Sequence, residues 1–540
     1  MSSLNKARNQ LGTITASEMV YYIYFIIMLL PKALGMYEGM PLYTLSLLAG
    51  FILIGIKVCM TKHTVLELLC MAALVLLGFV VWNNSGEKGL LIYIAMIIGI
   101  KNVPIGRIFR LGFVVFGISF VSQILYVLLG LKEDFFVIHS KLGLGHMIRW
   151  SLGYPHPNVL HISYVVLMAF LLYILNLKGK KNIAAIAACF VGNIYIFMYS
   201  VSYTGFALAI VYLACYYYFT VRKEISKTES ILIQAVFPAC VLFSVAGPLL
   251  IRGKLFELID KVLNTRYSLS NYFLTNEKIT LFGSRFDHLI GTNMTLDCSY
   301  TMALMRYGII PFILICIGYI FLIHRYLKEE KEKELAIIIG FVVAGISEPF
   351  LFNTSYKNLS LLFMGDYFFM LMMQAKNRGH FKFLKQEIQI IAFGDRTFSL
   401  SWLDLHSKAI TAGGIWKRGK KVIILLAICT GVTAAIVYGV AARTHLPERV
   451  YAVRSNCDDI GEESIYIDIN NLPENFNGKI LNYVDKDTKM YEFTGNIIII
   501  EYVRGIISSF IWIGAAAGCV SFILYSIIKG RTIIDENING

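Results

Sequence analysis

Charged side chains are scarce in this sequence: Asp, Glu, Lys and Arg make up 16% of its 540 residues, against 57% hydrophobic. Soluble globules keep roughly a quarter of their residues charged. So little polar surface cannot coat so much apolar surface, which excludes a string of soluble domains and makes lipid the expected solvent. Acids are fewer than bases, 35 against 49, for a net charge of +14. The Lys and Arg stand in short clusters between apolar runs rather than along one face, which excludes a nucleic-acid-binding stripe. Metal-ligand spacing is missing too. The ten cysteines are scattered, with no CxxC and no Cys/His spacing to hold a metal. Most, such as Cys59, Cys189 and Cys316, sit inside apolar runs, where Cys behaves as a small hydrophobe. Cys298 and Cys457 fall in expected outer segments, and nothing pairs them. No internal repeat is evident, so the paired halves common in secondary transporters are not visible.

What is there is a long series of apolar runs. A helix crossing a bilayer needs about 20 mostly apolar residues. Runs that meet or approach this centre on Ile26, Leu48, Leu74, Ile94, Phe116, Val166, Phe190, Val211, Phe237, Ile315, Val342, Phe363, Cys429 and Ile513. The expected fold class is therefore an all-α polytopic membrane protein of about fourteen spans, a twelve-helix core followed by two more. The run at Ile94 is short enough to be tilted or interfacial. The start, MSSLNKARNQLGTITASE, leads into a long apolar run without a cleavage signal and reads as a first span rather than a removed signal peptide.

Cation placement gives the orientation, because cytoplasmic loops carry excess Lys and Arg. With the N-terminus inside, the inner loops hold Lys101, Arg107 and Arg110, the KGKK at Lys178, Arg222 and Lys223, HRYLKEEKEKE from His324, and the basic stretch from Lys376 to Lys421. Outer loops near Pro31, Asn83, Ser200 and Asn353 are short and poor in cations. Both termini are then cytoplasmic. The expected organisation is a membrane domain over residues 1–375, a basic cytoplasmic linker over 376–420, and a two-helix appendage over 421–540. The appendage has an outer module at 442–500, where alternating runs such as RVYAVR and MYEFTG read as short strands.

Two outer segments keep cations against the rule. Residues 131–158 carry Lys132, His139, Lys141, His146, Arg149 and His156; residues 251–299 carry Arg252, Lys254, Lys261, Arg266, Lys278, Arg285 and His288. In RWSLGYPHPNVLH, Pro155 and Pro157 fix the backbone around His156, and Asn158 can cap the following helix. This is either a rigid turn with an incidental His or a proton-transferring group held at the surface. Arg285 and His288 are three apart and share a face if that turn is helical. Asp297 and Tyr300 lie at the mouth of the next span, and Arg306 sits about two turns inside it, where a guanidinium needs a partner or a polar cavity. Singly, each Arg fits a headgroup salt bridge; together they fit an anion-binding cavity, because their forks match phosphate oxygens. Glu348 lies near the outer end of its span with Pro349 behind it, and is either a functional buried acid or one that snorkels to the interface.

These motifs, in this order, resemble a known family. An outer-loop Arg149 precedes HPN (His156, Pro157, Asn158); a later outer loop carries Arg266, LFG (Leu281 to Gly283) and LDxSY (Leu296 to Tyr300); GxxEP (Gly345, Glu348, Pro349) follows. Over about residues 15–375 the chain resembles the oligosaccharide repeat-unit polymerases of bacterial surface polysaccharides, the Wzy-type O-antigen and capsule polymerases. It departs from them at Cys298, where the LDxSY motif would carry Asn, and at YSVSYTGF (Tyr199 to Phe206), which lacks an expected Arg. The two-helix appendage is not part of the usual family either; its layout is similar to that of chain-length regulators, though much shorter. The resemblance implies a metal-independent, inverting transfer of glycan from undecaprenyl pyrophosphate to a new lipid-linked repeat unit, at the outer face of a bacterial cytoplasmic membrane. It implies no cofactor, and as partners the lipid-linked oligosaccharide, membrane lipid, a flippase and a chain-length regulator. The expected catalytic residues are Arg149, His156, Arg266, Arg285, His288 and Asp297, with Asn158, Tyr300, Arg306 and Glu348 binding substrate. An O-antigen-ligase-like transferase and a lipid-linked oligosaccharide flippase remain as competing readings.

Overall fold

A computed structural model describes residues 13–141, 145–222, 224–289, 294–378, 381–399, 405–453, 465–466, 477–481, 489–494 and 496–538. The chain forms two compact units, one of residues 1–135 and 150–399, the other of residues 136–149 and 400–540.

The first unit is helical. Its long helices are α1 (Ala16–Ala33), α2 (Pro41–Met60), α3 (Val65–Ser85), α4 (Gly89–Gly99), α5 (Ile105–Leu128), α6 (Pro157–Ile174), α7 (Lys180–Ser200), α8 (Tyr203–Val221) and α9 (Lys227–Val245). Two shorter helices, α10 (Gly253–Leu263) and α11 (Arg266–Asn276), precede α12 (Ile309–Lys328), α13 (Glu332–Ala344) and α14 (Ser360–Arg378). Sequence-local signals set many boundaries. Thr64 and Glu67 form a capping box at the start of α3, Ser226 and Glu229 another at α9, and Gly86 ends α3 in the left-handed region.

Among the described residues of both units, eleven helices are long and apolar enough to cross a membrane. Three of the fourteen expected runs fall outside that set. The run at Ile94 is α4, only 11 residues long, and the run at Val342 is α13, with 13. Their residues are buried almost throughout, so protein surrounds these helices on all sides. The third is α14, which carries Asp366, Lys376 and Arg378 among its 19 residues.

Cations collect at one end of this helical unit. Lys57 donates to the Lys101 carbonyl at 3.0 Å, Lys101 pairs with Glu67, and Arg107 binds Glu18 at 2.8 Å. The segment after α14 returns to this same end: β5 (Glu387–Ile388) pairs with β2 (His63–Thr64), and β6 (Thr397–Ser399) with β1 (Thr13–Thr15). Lys62 meets Asp395 at 2.9 Å, which adds an ion pair to the clasp. The opposite end gathers the loops after α1 and α3, residues 129–135 and 150–156 between α5 and α6, the turn before α8, and the segments 246–289, 294–298 and 345–359.

The second unit contains the β3–β4 hairpin (Phe136–Lys141 and Gly145–Trp150), though Trp150 itself falls in the first unit, and two long helices, α15 (Leu405–Arg443) and α16 (Asn496–Ile538). These helices pack through small residues: a Cβ on Gly514 would come within 2.9 Å of the Ala427 carbonyl oxygen, and one on Gly431 within 2.7 Å of that of Phe510. Gly514 and Gly518 make a GxxxG pair, the usual device for close helix approach in lipid. Between the helices lies a four-stranded sheet, ordered β8 (Ile465–Tyr466), β10 (Lys489–Thr494), β7 (Arg449–Val453), β9 (Gly478–Leu481). Its central pair is antiparallel, with Tyr451 opposite Glu492. Residues 454–464, Cys457 among them, and 467–476, 482–488 and 495 lie outside the described residues.

Candidate functional site

The site grows from three places where the chain is forced to turn. The first precedes α6. Leu152 and Gly153 both take positive φ, and Asp134 holds that turn by accepting from Ser151 Oγ at 3.0 Å and Gly153 N–H at 2.9 Å. Burial pushes the Asp134 carboxyl up from its usual range, against those hydrogen bonds. Lys132 closes the turn by donating to the Gly153 carbonyl and to Gln123 Oε1 at 2.6 Å. His156 follows in extended backbone as the N-cap of α6, and its Nδ1 accepts the Asn158 N–H at 3.1 Å. The ring therefore does the capping, with Pro157 in the first helical turn. Asn158 Oδ1 accepts from Ser202 Oγ at 2.9 Å, and Ser202 is itself the N-cap of α8.

The second turn lies between α10 and α11, where Asn264 and Thr265 are both left-handed. Arg266, the first residue of α11, is thereby driven inward and is only 6% exposed. The third follows α13, where the helix stops and Pro349 starts a single 3-10 turn. Glu348 sits on this break, 5% exposed, with its carbonyl accepting from Ser299 Oγ at 2.5 Å.

The three turns converge. Glu348 Oε1 accepts from Thr204 Oγ1 at 3.0 Å and lies 3.4 Å from Arg266 Nη2. Asp297 Oδ2 is 3.6 Å from the same nitrogen, and Arg266 Nη1 reaches the Leu263 carbonyl at 3.3 Å. Arg266 Nε has no hydrogen-bond partner among the described residues. Charge-assisted contacts of this kind usually close to about 2.7–2.9 Å. The guanidinium is thus buried but loosely held, with donor capacity left over.

Beside it is a cavity of about 370 Å³ whose lining includes Asn158, Glu348, Asn353, Lys32 and Lys357. The two lysines were not singled out in the sequence. Lys32 is 6% and Lys357 4% exposed. Lys357 donates to Ser163 Oγ at 2.9 Å, and Lys32 Nζ rests 3.7 Å from the centre of the Tyr43 ring. Sequence gave one weak signal for them: each is a cation in an outer loop region otherwise poor in cations.

Other expected site residues have separate partners. Arg285 Nη2 donates to the Asn83 carbonyl at 3.1 Å, and Arg306 Nη1 approaches the Ser85 carbonyl at 3.5 Å while its guanidinium lies 4.6 Å from the centre of the Phe286 ring. Both arginines therefore sit on the C-terminal end of α3, where cations favour the helix dipole. Arg306 precedes α12 rather than lying inside it, in a short π-helical turn that ends at Gly308. His288, 60% exposed, pairs with Glu277 at 2.8 Å, so it and Arg285 reach different groups. Tyr300 is buried and donates to the Val342 carbonyl at 2.5 Å, beneath the cavity rather than in it. Arg149 is buried on β4 and belongs to the second unit. Cys298 is a buried free thiol. The YSVSYTGF turn, without its Arg, contributes the Ser202 and Thr204 hydroxyls instead.

No family model, no curated protein and no solved structure matches the chain.

Proposed function

We propose that this chain is a bacterial membrane glycosyltransferase that polymerises undecaprenyl-pyrophosphate-linked repeat units, with its site at the outer face of the cytoplasmic membrane. The observation that carries the reading is Arg266, a buried guanidinium in a polar cluster with long contacts and one nitrogen unpartnered among the described residues. An anionic leaving group is the ligand such a cation lacks, and preorganised donors at low dielectric stabilise developing charge well. In the reaction an acceptor hydroxyl oxygen forms a bond to the anomeric carbon. The bond from that carbon to the pyrophosphate oxygen breaks, its electron pair leaves with the lipid pyrophosphate, and the hydroxyl proton passes to a base. Glu348 is the candidate for that base, and His156, whose Nδ1 already accepts the Asn158 N–H, orients the acceptor with Asn158 and Asp297.

The cation-rich end of the helices, with Lys57, Lys101 and Arg107, is the cytoplasmic end by the positive-inside rule. The cavity end is then external, as polymerisation of exported glycan requires. α4, α13 and α14 complete the twelve-helix core, and α15 and α16 carry the sheet between them on the outer side. Partners by this reading are the lipid-linked oligosaccharide, a flippase and a chain-length regulator.

The test is a gel profile of surface polysaccharide from a deletion strain complemented with wild type or Arg266→Ala at equal protein level. Collapse of long polymer to single repeats in both the deletion and the mutant supports the polymerase. Long chains that accumulate unattached replace it with a ligase-like transferase. Unchanged polysaccharide in the deletion rejects the glycan reading and favours transport.

A further inference from the structure

The cavity beside Glu348 has more positive charge than its own acids answer. Two acids line it, and each is already engaged: Glu38 Oε1 holds Lys88 Nζ at 2.6 Å, while Glu348 Oε1 is shared by Thr204 and Arg266. A third acid, Glu87, lies in the loop behind Lys32 and Lys88. Burial pushes its carboxyl up from the usual range, towards the neutral form. Glu38 and Glu87 act on Lys32, and Glu348 on Lys357, only through space, and neither ammonium has an ion pair among the described residues. Lys357 meets only the neutral Ser163 hydroxyl as a hydrogen-bond acceptor among the described residues. Lys32 has no hydrogen-bond acceptor among the described residues and is held by the face of Tyr43. Two buried lysines facing one cavity repel each other, and a buried cation without a direct ion pair is costly. A protein that keeps both has use for an anion between them.

We propose that the Lys32–Lys357 cavity binds an anionic group, a carboxylate or a phosphate ester carried on a sugar, and so selects an acidic glycan. That the anion is borne on a sugar rests on the transferase reading; that an anion binds rests on the cavity alone. The size fits: about 370 Å³ lies at the small end of ligand pockets, which run about 300–1,000 Å³, so it takes one sugar ring rather than a whole repeat unit. The rest of the lining suits hydroxyls. Asn158 and Asn353 offer amides, Thr354 is fixed where its carbonyl accepts from Tyr43 Oη at 2.9 Å, and Tyr37, 54% exposed, offers a ring face. Arg266 is not in this lining. It stands behind Glu348, so the acidic substituent and the leaving pyrophosphate use different cations.

The test uses full-length protein in lipid nanodiscs, titrated with sodium glucuronate, glucose 6-phosphate and glucose, and read as a ligand-dependent shift in Tm. One or both anionic sugars raise Tm in a saturable way and glucose does not. Which of the two acts tells carboxylate from phosphate. Lys32→Met and Lys357→Met each weaken the anionic sugar at least tenfold; both replace a buried charge with an apolar chain of similar length, and the wild-type comparison of glucuronate with glucose stands even if a variant fails to fold. Equal shifts from glucose and both anions, no shift from any of them, or full retention of the anion effect in both variants overturns the proposal. If Arg266→Ala collapses polymer but no anion is preferred, this inference alone falls. If the anion site holds while Arg266→Ala leaves polymer intact, the transferase reading falls instead.

Discussion

A lysine buried beside another lysine changes what pH does to a protein. Lys357 lies in the loop between the 3-10 turn at Pro349–Leu351 and α14. Desolvation lowers its ammonium to about 7, Lys32 lowers it further within that value, and Glu348 opposes both. An unfolded lysine titrates near 10.4. The folded state therefore disfavours the charged form, and the resulting penalty is full below about pH 7, shrinks as pH rises towards ~10, and is absent above that. Lys357→Met removes the penalty. The variant is expected to be more stable than wild type by a few kcal/mol near pH 6, with the gap closing towards pH 10, in thermal unfolding of the detergent-solubilised protein. A gap that does not vary with pH contradicts the assignment. Arg266 calls for a different substitution. On the transferase reading its planar fork meets the leaving group while Nη2 faces Glu348 and Asp297, and a lysine cannot reproduce a fork. Arg266→Lys should therefore lose long polymer nearly as fully as Arg266→Ala; restoration of wild-type length by lysine would mean that only charge matters there.

Turns and helix ends decide which of the expected residues meet. Arg285 and Arg306 look alike in sequence to Arg266, yet both end on carbonyls of the last turn of α3. An exposed cation at a helix C-terminus contributes about 0.3–1 kcal/mol. Arg285→Ala should therefore shift Tm slightly and leave polymer length unchanged; loss of polymer at normal protein level would return Arg285 to the reaction. Asp134 is the opposite case, an acid no motif pointed to, holding the turn that delivers His156 and Asn158. Asp134→Ala leaves the Gly153 N–H short of an acceptor, at a cost of about 1–3 kcal/mol where buried, while Ser151 Oγ keeps the Phe135 carbonyl at 2.8 Å. It should lower both stability and polymer yield, with Asp134→Asn recovering part of each. The same contrast explains what sequence could and could not reveal. Arg266, Glu348 and the HPN triplet were legible because an outer cation, an acid at the end of a span and a proline-locked histidine are each costly in lipid or rigid in backbone. Lys32 and Lys357 were not, because a lysine at a helix end reads as a snorkelling side chain, and only the fold brings the end of α1 to the loop before α14. Hydropathy located α4 and α13 but could not say that protein rather than lipid surrounds them.

Taken over its full length, the first unit is polarised: one end collects Lys57, Lys62, Lys101 and Arg107 with the returning strands β5 and β6, and the other collects the cavity. The proposed function depends on the orientation of this polarity, because a glycan polymerase of exported units needs its cavity outside. Labelling of single cysteines in a variant lacking the ten native cysteines reads this directly. Tyr37→Cys, 54% exposed at the cavity end, should react with a membrane-impermeant maleimide in intact cells. Lys331→Cys, exposed in the turn between α12 and α13, should react only after permeabilisation. The reverse pattern would place Lys32, Lys357 and Arg266 on the cytoplasmic side. There an exported lipid-linked glycan is out of reach, and the same basic cavity would have to act on a cytoplasmic anionic sugar, such as a nucleotide-linked donor, instead.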